Sequence, residues 1–202
     1  MKKIPVALIF LFLSAVAGLA QDAFVSKRWG FTIQPPKGWI QMDKEDFTEN
    51  LNKIDFSDEA LEKVLKDEKR RTLIASYIKS DPQTTPGLIP RFDVSVLAKS
   101  PMEFAVFKSQ ISKSSMSLKT VFPDIVFDQT KEILISGVNS VFITARFTVK
   151  TANGEILRVR SRVYAIPFKN YFIQVSLNDG QAAETDATTE YEVMLKSIKL
   201  GR

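Results

Sequence analysis

The sequence predicts an α+β domain, and three observations carry that expectation. Four strand signals follow one another in the second half of the chain, at about 125–135, 138–150, 156–167 and 171–177. Their joining segments are short and hold Ser136-Gly137, Asn153-Gly154 and Lys169-Asn170, and hairpins that short force antiparallel neighbours. Stretches of helical period stand on both sides of this run, and helices set apart from an antiparallel sheet give an α+β layering.

Met1-Lys2-Lys3 is a short basic start, Ile4 to Val16 is almost wholly apolar, and Ala17-Gly18-Leu19-Ala20 sets small residues before Gln21. That is the layout of a secretory signal peptide. The apolar run falls short of the ~20 residues that span a bilayer. The expectation is a signal peptide over 1–20 and a single domain over 21–202, periplasmic or secreted, with no membrane anchor after cleavage. No cysteine follows the cleavage point, which excludes lipid attachment there.

Trp29 to Ile33 alternates like a strand, Pro35-Pro36 stops it, and Trp39 to Met42 resumes after the Lys37-Gly38 turn. A helix is expected after Ser57: Asp58 and Glu59 suit its positive end, and Leu61, Val64 and Leu65 share a face. The mixed run Asp67-Glu68-Lys69-Arg70-Arg71 fits the solvated end of that helix. Leu73 to Ile78 and Phe92 to Ala98 read as strands, parted by a Pro/Gly/Thr-rich loop from Asp81 to Pro90. Ser100-Pro101-Met102-Glu103 combines an N-cap serine, proline at the first helical position and a capping-box glutamate. Phe104, Phe107, Ile111 and Leu118 then form one stripe, and Pro123 ends the run. The last helix, at about 186–197, carries Ala187, Tyr191, Met194, Leu195 and Ile198 on its inner face, and Asp179-Gly180 before it reads as a turn.

Composition narrows the function classes. The chain has no histidine and no cysteine, so the commonest metal ligands, thiol nucleophiles and the imidazole base are absent. No metal or cofactor is expected, and the residue types argue against most enzymes. Removing 1–20 takes away two lysines and no acid, leaving 26 basic against 23 acidic side chains, a balance of +3. That is too mild to imply nucleic acid.

Gly30-Phe31-Thr32-Ile33-Gln34-Pro35-Pro36-Lys37-Gly38-Trp39 resembles the opening signature of the PsbP-like family, the extrinsic photosystem II protein and its bacterial relatives. The resemblance continues through Ile135-Ser136-Gly137-Val138, the hairpins, and the terminal stretch from Tyr191 to Leu200. It implies an α/β/α sandwich around a central antiparallel β-sheet and a non-catalytic binding, assembly or accessory role. The histidine-borne metal and chloride links of some photosynthetic members do not carry over to a chain without histidine.

The most suggestive constellation is Arg158-Val159-Arg160-Ser161-Arg162-Val163-Tyr164. Alternate strand positions face one way, so three guanidinium groups stand ~7 Å apart beside a tyrosine. Arg158, Arg160, Arg162 and Tyr164, with Arg146 and Gln174 on neighbouring strands, form the candidate binding surface for an acidic protein or small anionic ligand of the cell envelope. The bland alternative is a solvated or helix-covered face with snorkelling arginine stems, where Asp128 and Glu132 have the parity to neutralise Arg146. This surface requires a three-residue loop, Ala152-Asn153-Gly154, with Gly154 left-handed, and a second loop of Phe168-Lys169-Asn170. Two other function classes stay open. A hydrolase would use carboxylates, or Lys108 or Lys113 with Ser109, Ser112, Ser114 or Ser115, although those serines read more simply as a polar helix face. A binder of an apolar ligand or apolar helix would need an open groove.

Overall fold

The computed structural model describes residues 22–42, 57 and 70–201. The expected signal peptide and the helix expected after Ser57 both lie outside these residues. The architecture is an α+β sandwich, as the hairpins imply. Its main sheet is built from β3 (Ile40–Gln41), β4 (Thr72–Ile78), β5 (Arg91–Ala98), β6 (Val126–Phe127), β7 (Lys131–Ile135), β8 (Val138–Lys150), β9 (Ile156–Phe168) and β10 (Tyr171–Gly180). The strand order is β3-β4-β5-β10-β9-β8-β6, β7 also pairs with β8, and every pairing is antiparallel. A second, smaller sheet joins the two ends of the chain: β1 (Phe24–Ser26), β2 (Phe31–Ile33) and β11 (Lys199–Leu200). Gly201 N–H donates to the Gly30 carbonyl at 2.7 Å and closes that seam.

Both faces of the main sheet are covered. Helix α1 (Phe104–Met116) lies on one, where Phe107 meets Val141, Ile143 and Ala165 and stacks edge-on to Phe172. Helix α2 (Thr188–Lys196) and the small sheet cover the other. There Tyr191, Met194, Phe31 and Ile33 bury against Phe92, Val94, Ile166, Ile173, Val175 and Leu177. Trp39 plugs this layer between Phe92 and Tyr191, while Trp29 packs half-buried on Tyr171.

The hairpin between β8 and β9 has the expected register. Thr151 N–H donates to Glu155 O at 2.9 Å, Gly154 N–H reaches Thr151 O, and Gly154 sits at φ 87°. Arg146 therefore stands opposite Arg160, and Thr148 opposite Arg158. The next hairpin departs from expectation. Phe168 pairs with Tyr171, so the loop is the two residues Lys169 and Asn170, with Lys169 at φ 54°. One residue fewer reverses parity, which sends Gln174 and Ser176 to the α1 face and sets Leu177 opposite Arg162.

Four further boundaries differ from the sequence reading. Trp29 belongs to a turn, preceded by the unforeseen β1. The strand expected over 125–135 is two, β6 and β7, meeting different parts of β8. Helix α1 begins at Phe104 with Glu103 at the N-cap and no side-chain capping bond, so the Ser100 capping box does not form. Lys99 N–H is still held by Asn170 O, and Met102 packs beneath α1, so the chain must cross to the helical layer before it can coil. Finally, Asp179-Gly180 ends β10 rather than forming a turn.

All four tyrosines, Tyr77, Tyr164, Tyr171 and Tyr191, are buried. Burial pushes each phenol above its ordinary value of 10.0, Tyr164 to about 12. A raised folded-state pKa gives stability that is present below about pH 10 and is lost as pH rises through the folded value. A spectrophotometric titration should therefore show less tyrosinate in the folded protein at pH 10 than in free tyrosine, which is half-ionised there. Ionisation of the folded protein should be displaced to higher pH; half-ionisation of all four tyrosines at pH 10 in the folded protein would contradict the packing.

Candidate functional site

The arginine row lies on strand β9, and the strand beside it decides its fate. Because Phe168 pairs with Tyr171, Asp179 falls opposite Arg160. Asp179 is fully buried, at 0% exposure, so its charge needs partners. Arg160 supplies a bidentate fork, Nε to Oδ1 at 2.9 Å and Nη2 to Oδ2 at 2.7 Å. Arg162 Nη1 adds a bond to Oδ2 at 3.1 Å, and the backbone N–H of Ala187 donates to the same oxygen at 3.0 Å.

Helix α2 starts on top of this cluster. Arg162 Nη2 donates to Thr188 Oγ1 at 2.6 Å, and that hydroxyl donates to Asp186 Oδ1 at 2.5 Å. Asp186 also accepts the Thr188 N–H at 2.7 Å and lies 3.0 Å from Arg160 Nη2. These contacts hold the Asp186 carboxyl down at about pKa 2, chiefly through the Thr188 hydroxyl and N–H, which outweigh the opposing effect of burial, with Arg160 adding to them. Asp186 thus contributes stability above the ordinary carboxylate range, lost as pH falls toward 2. Two guanidiniums and two carboxylates leave the cluster formally neutral. Arg162 lies 5.7 Å from the Tyr191 ring centre, and the Tyr191 hydroxyl reaches the carbonyls of Asn178 (2.7 Å) and Arg91 (3.0 Å). Gly180 completes the fit, since a Cβ there would meet Thr185 Oγ1 at 1.7 Å.

The six residues expected to share one binding surface are therefore dispersed. Arg160 and Arg162 are clamped beneath α2, with side chains 20% and 12% exposed. Tyr164 is buried and stacked on Phe142. Gln174 lies on the other face, bonded to Ser176. Arg146 is half-exposed and held in a bidentate pair by Asp128; Glu132 instead takes Lys108 of α1. Arg158 alone of the row is open to solvent. Two of the α1 serines have partners already, Ser112 the Thr130 hydroxyl and Ser115 the Ile111 carbonyl.

A concave site lies elsewhere. The loop from Asp81 to Pro90 and the tip of the β8–β9 hairpin enclose a cleft of about 600 Å³. Ile78, Pro82, Pro86, Leu88, Ile89 and Leu157 give it apolar walls. Arg91, Thr151, Asn153 and Glu155 supply its polar positions. Asp81 shapes the loop by accepting the Gln83 N–H at 2.8 Å, while its carbonyl accepts from Thr84 and Thr85. Arg91 is fixed by a bidentate pair with Asp93. Sequence reading marked this segment only as a loop, and its two apolar pairs, Pro82 with Pro86 and Leu88 with Ile89, were the available signal. Asp179 was missed for a different reason: its parity follows from the second hairpin's loop length. Among the described residues, no cluster of carboxylates is placed to hold a metal ion.

No family model and no curated protein matches the chain in sequence. Solved structures do match it. A Bacteroides thetaiotaomicron structure aligns at TM-score 0.50 and 10% identity, over 91% of this chain and 50% of that one. LpqN, involved in cell envelope biogenesis of Mycobacterium tuberculosis, aligns at 0.48 and 11%, over 85% and 83%. The cyanobacterial PsbP of Synechocystis aligns at 0.47 and 11%, over 94% and 98%. The likeness is one of fold.

The clasp and the row's open end make contrasting predictions. Asp179→Ala should destabilise the protein by about 3 kcal/mol, because it removes the carboxylate that both largely buried guanidiniums share and leaves Arg160 only Asp186 and Arg162 only the Thr188 hydroxyl. Arg158→Ala should stay within about 0.5 kcal/mol. Urea unfolding of both variants checks this, and equal effects would refute the assignment.

Proposed function

We propose that this chain is an exported, non-catalytic binding protein of the PsbP-like kind, whose ligand is a small, largely apolar molecule held in the cleft beside the β8–β9 hairpin tip. The cleft is the observation that carries the reading. At about 600 Å³, its volume falls within the range of small-molecule sites, and its few polar positions suit a ligand with one polar end. The arginine row does not compete, since two of its members already neutralise Asp179.

What supports binding rather than catalysis is the chemistry of the walls. They offer a single carboxylate, Glu155, and a guanidinium already engaged by Asp93, whereas acid–base work needs two groups of matched pKa. The chain also has no histidine or cysteine to act instead. Export is supported by the three-part leader over 1–20, which directs the domain to the periplasm or beyond.

The test uses the chain from Gln21, because every residue of both core clusters lies after it. The neutral probe N-phenylnaphthylamine should fluoresce on binding, at one site per chain. Leu157→Trp, which fills the cleft from its wall, should weaken the probe about tenfold or more while the melting temperature holds. Absent probe binding, or binding indifferent to Leu157→Trp, would refute the cleft as the ligand site.

A further inference from the structure

The pole of the sheet opposite the cleft has a different chemistry. Strands β5 and β9 both run from the cleft to this pole, where β5 ends at Ala98 and β9 at Phe168. Thirteen residues of β9 set the two poles ~40 Å apart. Three turns converge here. Tyr171 donates its hydroxyl proton to the Trp29 carbonyl at 2.8 Å, and their rings meet edge-on at 5.1 Å. Phe168 packs on Tyr171 at 5.7 Å, and Lys99 N–H bonds to Asn170 O at 3.0 Å.

These segments carry basic side chains and no acidic one of their own. Residues 23–38, 97–102, 165–178 and 195–201 contain no aspartate or glutamate. Lys27, Arg28 and Lys169 are exposed at the turn tips, and Lys99 is half-exposed beside them. Among the described residues, positive charge is therefore gathered at these turns. Two half-buried rings sit among these cations, and each carries its own. The Arg28 guanidinium lies 4.9 Å from the Trp29 ring centre, and the Lys169 ammonium 5.2 Å from that of Phe168. Lys169 occupies a left-handed loop position that glycine ordinarily takes, so a cation stands at the tip in spite of the backbone.

We propose that this pole docks on an anionic lipid surface, with Trp29 and Phe168 at headgroup level and Lys27, Arg28, Lys99 and Lys169 against the phosphates. Ring and cation presented side by side fit a surface that is apolar beneath and anionic above, where tryptophan concentrates and basic residues are attracted. An acidic protein surface would match the charge but gives the paired rings no apolar layer to enter. This proposal stands apart from the cleft and does not depend on it.

The test again uses the chain from Gln21, with vesicles of equal parts phosphatidylglycerol and phosphatidylcholine against phosphatidylcholine alone. The protein should sediment with the anionic vesicles only, and rising salt should release it. Tryptophan emission should shift to the blue, a change that reports Trp29 because Trp39 is already buried. Neutralising one exposed cation should weaken binding about fivefold. The combined Lys27→Gln, Arg28→Gln, Lys169→Gln variant should lose about a hundredfold on the same per-residue scale. All three are surface positions, so circular dichroism should be unchanged. Equal binding to both vesicles, no binding to anionic ones, or a triple variant that binds like the parent would overturn the proposal. Preferential capture by soluble polyglutamate would also overturn it and identify an acidic protein instead.

Discussion

A carboxylate with no access to water organises one whole face of this sandwich. Burying Asp179 without partners would be costly, and Arg160 and Arg162 supply them. Those arginines cannot reach it unless β10 pairs with β9 in the register that the two-residue loop imposes. The same carboxylate accepts the Ala187 N–H at the start of α2, and Thr188 and Asp186 tie that helix to the guanidiniums. Helix, strand register and charge balance are thus conditions on one another. The Tyr191 hydroxyl, bonded to carbonyls of β10 and β5, extends the constraint along the helix to the centre of the core.

This explains why a row of arginines at strand spacing is a poor sign of a ligand surface in this fold. A binding face needs unneutralised donors open to solvent. Here the sheet is covered on both sides, and the inner guanidiniums act as fasteners for the covering helix. Only toward the hairpin tip, where α2 no longer roofs the strands, does Arg158 return to water. The surfaces proposed for binding lie instead at the two poles, the apolar cleft at one and the basic aromatic turns at the other.

Much of the fold was legible from residues. The β8–β9 register follows from the alternation of Ile143, Ala145, Phe147 and Val149 with Leu157 and Val159, closed by a glycine that tolerates φ 87°. The inner face of α2 was equally plain in Ala187, Tyr191, Met194 and Ile198, because a helix with one buried side shows its period. The β9–β10 register was not, and the reason is physical. Parity matching assumes one apolar face per sheet. In a sheet covered on both faces, Ile173, Val175 and Leu177 pack with Tyr164 and Ile166 on the same side as the arginines. The candidate site inherited that error through Gln174. The Ser100 capping signal failed because strand pairing at Lys99 and burial of Met102 outweigh a local cap worth about 1 kcal/mol.

The central claim is that α2 is fastened to the sheet as part of one cooperative unit. Native-state hydrogen exchange measures this directly, amide by amide. The account predicts that the amides of Tyr191 and Met194 in α2 open with the same free energy as those of Val175 and Ile173 in β10, both equal to the global unfolding value. Exchange of the α2 amides through a separate, low-energy opening, with β10 still protected, would contradict it.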